Sequence, residues 1–186
     1  MVLNDADAHD GPSWIRIQDA IDLIAPPGRE VVRENIRAAE LIYASKIPPE
    51  AVSGEGFIAW SGADPCGATT TLVVEGKSGE NRTLAVCVFP VGARLDFNRR
   101  VKKILSSKSV RMADRVVVQT SSGMEFGSIG PVGIPSDWKL LVDDSLMGRE
   151  DIYAGSGLVM SKLKFPPEVL EMIRPDVIIE PICASA

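Results

Sequence analysis

Two short runs rich in β-branched residues, Thr70 to Val74 and Thr83 to Val88, flank a polar, glycine-containing middle in TTTLVVEGKSGENRTLAVCVF, and this stretch constrains the fold more than any other. Runs of that length and content read as strands, and so short a polar link pairs them as an antiparallel hairpin. Gly56 to Trp60, Val116 to Gln119, Leu140 to Val142, Asp151 to Ala154, Ser161 to Phe165 and Val177 to Ile179 read as further strands. Helical spacing at Trp14, Ile17, Ile21 and Ile24 predicts a helix capped by Ser13 and stopped at Pro26-Pro27. Glu30 to Ala44 reads as a second helix, whose end reads equally well as a strand over Glu40 to Ile47. Asp96 to Leu105 and Pro166 to Ile173 complete the helices. Helices and strands do not alternate strictly, so an α+β arrangement is expected, a mixed sheet or partly closed barrel with flanking helices, rather than a doubly wound parallel sheet.

A chain of 186 residues suits one domain with a real core. Its net charge of −5 argues against coating nucleic acid by bulk charge and leaves room for a local basic patch. No apolar stretch is long enough to cross a membrane, and the opening MVLNDADAHDG is acidic where a secretion signal is basic, so a cytoplasmic protein with a short N-terminal tail, Met1 to Gly11, is expected. Cys66, Cys87 and Cys183 are widely spaced and odd in number, which fits inert thiols rather than a disulfide framework or zinc knuckle. His9, in that tail, is the only histidine, so a histidine triad, a Cys-His pair or a multi-histidine metal site lacks material, and neither metal nor cofactor is expected.

The stretch GMEFGSIGPVGIP, Gly123 to Pro135, holds four glycines and two prolines and a single charge, Glu125. Such a loop offers peptide N–H and C=O groups rather than side chains, and its glycines let the chain pass close to a ligand or another backbone. The adjacent pair Asp143-Asp144 could serve a metal or acid-base chemistry, but neighbours on a strand point to opposite faces, which fits one core-facing and one solvated carboxylate. Between Arg94 and Arg111 seven cations stand against one acid, Asp96. Within this run Arg99, Arg100, Lys102, Lys103 and Lys108 are either a solvated helix face or contacts to RNA phosphates.

Four places resemble the YbaK/prolyl-tRNA editing family, in the order expected for it. Gly127-Ser128-Ile129-Gly130-Pro131 matches the family GxxxP loop; LLVDDSL, Leu140 to Leu146, resembles the strand that ends in an aspartate; IYAGSG, Ile152 to Gly157, resembles the next strand and turn; and TTLVV with LAVCVFP resembles the family's paired strands. The resemblance implies a mostly antiparallel pseudo-barrel of about six to eight strands over residues 41–186, with 1–40 as a tail and helical extension. It implies hydrolysis of mischarged aminoacyl-tRNA in trans, with tRNA for proline as the leading candidate. By the same resemblance Gly127, Ser128 and Pro131 belong to the catalytic loop, and Thr71, Ile129, Gly130, Asp143, Gly155 and Ser156 contact the substrate. Backbone N–H groups would then hold the oxyanion while an oriented water attacks.

The family lysine falls on Thr70 in this chain, and the position of a common family aspartate falls on or beside Lys162. Lys162 is therefore expected to supply the missing cation from the opposite wall, with Thr70 positioning water. Arg99 to Lys103 would steer the tRNA acceptor stem. Two alternatives stay open: a non-catalytic module of the same fold that binds tRNA or a small ligand, and an interaction domain whose N-terminal helices dock an aminoacyl-tRNA synthetase.

Overall fold

The computed structural model describes residues 11–184, so His9 and all but the last residue of the expected tail lie outside the described residues. The hairpin forms as the sequence requires: β3 (Thr69–Ser78) and β4 (Asn81–Pro90) pair antiparallel from Thr69 opposite Pro90 to Ser78 opposite Asn81. Around it a sheet grows in the order β5-β3-β4-β6-β9. In it β5 (Ser109–Met112) runs antiparallel to β3, whereas β6 (Lys139–Asp143) and β9 (Ile178–Glu180) add in parallel beyond β4. The second sheet, β1-β2-β8-β7, is wholly antiparallel and contains β1 (Ile15–Arg16), β2 (Tyr43–Lys46), β8 (Ser161–Phe165) and β7 (Ile152–Gly155).

The two sheets meet along one seam. Ala68 bridges Tyr153, the Tyr153 N–H donates to Gly67 O at 2.9 Å, and the Thr69 hydroxyl donates to Tyr153 O at 2.8 Å. The apolar faces of both sheets close over a shared core that includes Val86, Val88, Leu140, Val142, Ile152, Leu163 and Phe165. The result is the expected α+β, mostly antiparallel, barrel-like fold, with nine strands among the described residues; β1 and β5 are the ones the sequence did not disclose.

Local signals explain where the elements differ from expectation. Trp14 to Ile24 is not a helix capped by Ser13: it forms β1 and a 3-10 turn at Ile21–Leu23. Trp14 packs instead on the rings of Phe57 and Tyr153, with centroids 6.4 and 5.7 Å away. Pro26-Pro27 does not stop a helix but starts one, α1 (Pro26–Glu34), where proline's fixed φ and missing donor suit the first turn. The expected helix Glu30 to Ala44 breaks at Asn35 into α1 and α2 (Ile36–Ala39), and Tyr43 onward becomes β2, which settles the alternative in favour of a strand.

Gly56 to Trp60 lies in α3 (Gly54–Ser61), capped by the Ser53 hydroxyl at Gly56 N and closed by Gly62 at φ 68°. Val116 to Gln119 lies in α5 (Arg115–Ser122), where Asp114 caps the N–H groups of Val116 and Val117 and Gly123 closes the helix at φ 63°. In both, a cap and a left-handed glycine outweigh β-branched content. The basic stretch Asp96 to Leu105 is helical as expected: a wide turn at Phe97–Val101 runs into α4 (Lys102–Ile104). The last helix is α6 (Val169–Ile173).

Residues 11–40 are built into this body. Ile17, Leu23, Ile24, Val32, Ala38 and Ala39 join the core cluster that holds both sheets. Ala25 N donates to Ser156 O at 3.0 Å, and the Ser161 hydroxyl donates to Leu23 O at 2.7 Å. Where α1 meets the glycine-rich loop the backbones nearly touch: a Cβ on Gly133 would sit 2.4 Å from Gly28 N, and one on Gly28 would sit 3.2 Å from Val132 O. No helix of the described residues is long and apolar enough to cross a membrane.

Candidate functional site

The sheet seam, the start of α3 and the glycine-rich loop enclose a cavity of about 210 Å³. Seven of the residues singled out by sequence line it: Thr70 and Thr71 from β3, Gly127, Ser128 and Ile129 from the loop, Gly155 from β7 and Lys162 from β8. The loop reaches this position because α5 stops at Gly123 and the chain then pins itself to the β7–β8 turn. Glu125 N donates to Gly157 O at 2.8 Å, Gly157 N donates to Ser128 O at 2.8 Å, and the Glu125 carboxylate accepts from Val159 N. Gly130 and Gly155 then cross with no room for a side chain: a Cβ on Gly130 would lie 1.8 Å from Gly155 O, and one on Gly155 would lie 2.5 Å from Ser128 O.

Three features give the cavity its chemistry. The Ser128 N–H is taken by Glu125 O at 3.1 Å, whereas no hydrogen bond among the described residues uses the N–H of Gly127 or Ile129. The Ser128 and Thr71 hydroxyl oxygens are buried without a hydrogen-bond partner. Leaving a buried polar atom unpaired carries a real penalty, so two of them beside a cavity mark a place where a ligand or water completes the bonding.

The third feature is Lys162, only 7% exposed, whose ammonium donates to Val52 O at 3.0 Å and lies 5.8 Å from the Phe57 ring centroid. No carboxylate among the described residues forms an ion pair with it. Burial pushes its pKa down from the ordinary lysine value. A buried ammonium that faces a cavity without a carboxylate partner is matched to an anion or to an oxygen that becomes one.

Several expected residues stand elsewhere. Asp143 does not reach the cavity. It turns inward, 5% exposed, where Oδ1 accepts from Ser145 N and Oγ and Oδ2 accepts from Ile182 N at 2.9 Å and Cys183 N at 3.0 Å. Burial by itself raises its pKa, but these hydrogen bonds outweigh that and hold the carboxyl below the usual aspartate range. Its neighbour Asp144 is exposed, but not by strand alternation: β6 ends at Asp143, and Asp144 opens a 3-10 turn, Asp144–Leu146. Gly130 and Pro131 are buried behind the cavity wall rather than lining it. The buried Ser156 hydroxyl lies 2.8 Å from that of Ser161 and accepts from Leu158 N at 3.1 Å, shaping the turn behind Gly155. The thiols of Cys87 and Cys183 are pushed up to about 12, chiefly by burial, which keeps them protonated and inert.

Sequence reasoning missed the apolar part of the lining: Val52, Leu72, Val73, Met112, Val118 and Phe126. Phe126 was within reach, since it directly precedes Gly127; Val52, which accepts the Lys162 bond, carries no sequence signal at all. On the other side of Thr70 and Leu72 opens a groove of about 1070 Å³, bordered by Arg94 to Asn98 and Ala184. The basic segment continues from its rim: Arg99 is exposed and pairs with Asp96 at 3.3 Å, Arg100 and Lys102 are half-buried, and Lys103 and Lys108 are exposed.

The cavity of this barrel-like α+β domain is thus walled by peptide groups, hydroxyls, apolar side chains and one buried lysine. The sequence profile of the aminoacyl-tRNA editing domain matches residues 60–172, and the chain belongs to that family. A stretch of 57 residues, 31% of the chain, is 39% identical to the proline--tRNA ligase of Leuconostoc mesenteroides subsp. mesenteroides; it spans 10% of that ligase's length. Among solved structures, one described as a candidate trans-editing enzyme for prolyl tRNA synthetase superposes with a TM-score of 0.71 at 17% identity, covering 87% of this chain and 99% of that one. A hypothetical protein superposes with the same TM-score of 0.71 at 22% identity, covering 83% of this chain and 99% of its own. At such identities these two likenesses speak for the fold alone.

Proposed function

We propose that the protein is a trans-acting aminoacyl-tRNA deacylase that hydrolyses the ester of mischarged tRNA, with tRNA for proline as the leading substrate. The observation that carries this reading is the cavity in which Gly127, Ser128 and Ile129 face Lys162 and Thr70. The aminoacyl ester lies with its carbonyl oxygen against the unused N–H groups of Gly127 and Ile129. Water, positioned by the hydroxyls of Thr70, Thr71 or Ser128, attacks the carbonyl carbon. The water oxygen bonds to that carbon, the bond to the ribose oxygen breaks, and the proton released by the water ends on the ribose oxygen. Lys162 stabilises the negative charge that builds meanwhile on the carbonyl oxygen, the role of the absent family lysine at Thr70. An ester is reactive enough for positioning and oxyanion stabilisation to suffice without a protein nucleophile.

The likeness to a proline--tRNA ligase segment supports tRNA for proline, and Arg99, Arg100, Lys102, Lys103 and Lys108 beyond the neighbouring groove suit the acceptor stem. The test is release of amino acid from a panel of mischarged tRNAs, repeated with Lys162→Ala and Thr70→Ala. The reading expects turnover by the natural protein and loss in the Lys162 variant; undiminished rates in both variants remove the assigned roles. Salt-dependent tRNA binding without any turnover would instead favour a non-catalytic tRNA-binding module.

A further inference from the structure

Exposed apolar side chains stand beside the cavity mouth. Met112, Val116, Val117 and Phe126, on β5, α5 and the loop, are 50%, 70%, 44% and 50% exposed. Met112 and Phe126 also line the cavity, so the patch is continuous with it. Inside it stands one ordered pair: the guanidinium carbon of Arg115 sits 4.2 Å from the centroid of the Phe126 ring. The Arg115 Nε is itself held by Gln119 Oε1 at 3.2 Å, one turn along α5.

We propose that Phe126, held in place by Arg115, is the stacking platform for the nucleobase at the 3′ end of the substrate RNA. This rests on the deacylase reading and adds to it the part of the site that recognises the alcohol half of the ester. The argument is one of connectivity. If the ester carbonyl lies at Gly127 and Ile129, the ribose is bonded directly to the ester oxygen and its base is one sugar away. Phe126 is the residue immediately before Gly127, and its ring is half exposed there. A flat ring fixed by a guanidinium is a surface on which any base can stack, and such stacking is sequence-tolerant. The rings in the groove beyond Thr70 are less open: Phe89 is buried and Phe97, at its edge, is partly buried against the apolar cluster under the sheet. That groove suits the sugar-phosphate chain rather than the terminal base.

The test compares two small esters with the same acyl group, 3′-O-alanyl-adenosine and the alanyl ester of methyl riboside, which lacks the base. Stacking on one aromatic ring predicts that the natural protein prefers the adenosine ester by about tenfold or more in kcat/KM. Phe126→Leu is expected to bring that ratio to within about twofold, Phe126→Trp to hold or raise it, and Arg115→Ala to lower it in part. A second readout needs no turnover: AMP should quench the indole fluorescence introduced by Phe126→Trp. A ratio unchanged by Phe126→Leu, or no quenching by AMP, overturns the platform. If charged tRNA is hydrolysed while the two esters react equally, the platform fails and the deacylase stands. If nothing is hydrolysed, the deacylase reading fails and the quenching measurement alone decides the platform. Because Phe126 is half exposed, these substitutions leave the core intact, which thermal unfolding run alongside verifies.

Discussion

Replacing Lys162 by methionine should make the protein more stable and less active. The ammonium is 7% exposed and is compensated by a single carbonyl, Val52 O at 3.0 Å, and by the Phe57 ring at 5.8 Å. Removing a charge from water costs several kcal/mol even after relaxation. A hydrogen bond from a charged donor returns about 1.5–3 kcal/mol and a cation–π contact about 0.5–2 kcal/mol. A residual penalty of about 2 kcal/mol remains, and Lys162→Met, of similar length and without charge, should relieve it. For a domain of this size that raises Tm by about 4–8 °C.

The pH dependence carries the sign. Below the folded pKa, lysine is protonated in both folded and unfolded chains and the penalty is present in full. Between that lowered pKa and the ordinary value of 10.5, the unfolded chain binds the extra proton, so stability rises with pH. Activity, which needs the cation, should fall over the same window. Chemical denaturation and deacylation measured side by side across neutral to alkaline pH should therefore run in opposite directions in the natural protein, and the stability slope should flatten in Lys162→Met. Its kcat/KM should drop by about a hundredfold, the scale of a lost oxyanion contact. A Tm that falls, with activity intact, would refute the reasoning by making Lys162 a structural strut.

Two further outcomes test the scaffold. Gly130→Ala would place a methyl 1.8 Å from Gly155 O, a backbone atom that cannot step aside; about 3 kcal/mol of stability should go, with most of the activity, as read by thermal unfolding and deacylation. Asp143→Asn should cost about 2–3 kcal/mol in denaturant titration, because an amide cannot accept from four donors as the carboxylate does. The Asp143 contribution is present above the ordinary aspartate range and is lost as pH falls through its lower folded pKa, so the variant should show a shallower acid limb.

Much of the fold could be read in the chain. The hairpin was plain in its β-branched runs, and β6, β7, β8 and β9 fell where short apolar runs placed them. The errors came where two local signals competed. Val116, Val117 and Val118 read as a strand by content, yet Asp114 before them and Gly123 after them bracket a helix. The same holds for Ser53 and Gly62 around α3. Pro26-Pro27 was read as an end because a proline stops a helix it enters, whereas at the first turn it starts one. Within the site, the glycine-rich loop could be found because backbone approach leaves a compositional mark. One inward and one solvated carboxylate at Asp143-Asp144 could also be read, but not the partners that hold Asp143, since Ile182 and Cys183 lie 39 and 40 residues away in sequence.

The contact between Gly28 and Gly133 bears on what must travel together if this activity is to be moved between proteins. The matched family segment spans 60–172, yet the glycine-rich loop is backed at Gly133 by Pro27 and Gly28, and the β7–β8 turn that pins it is held by Ala25, all of which precede that segment. A graft cut at the boundaries of the matched segment would carry the loop without its backstop. The portable unit is larger than the matched segment, because the chain that braces the loop comes before it.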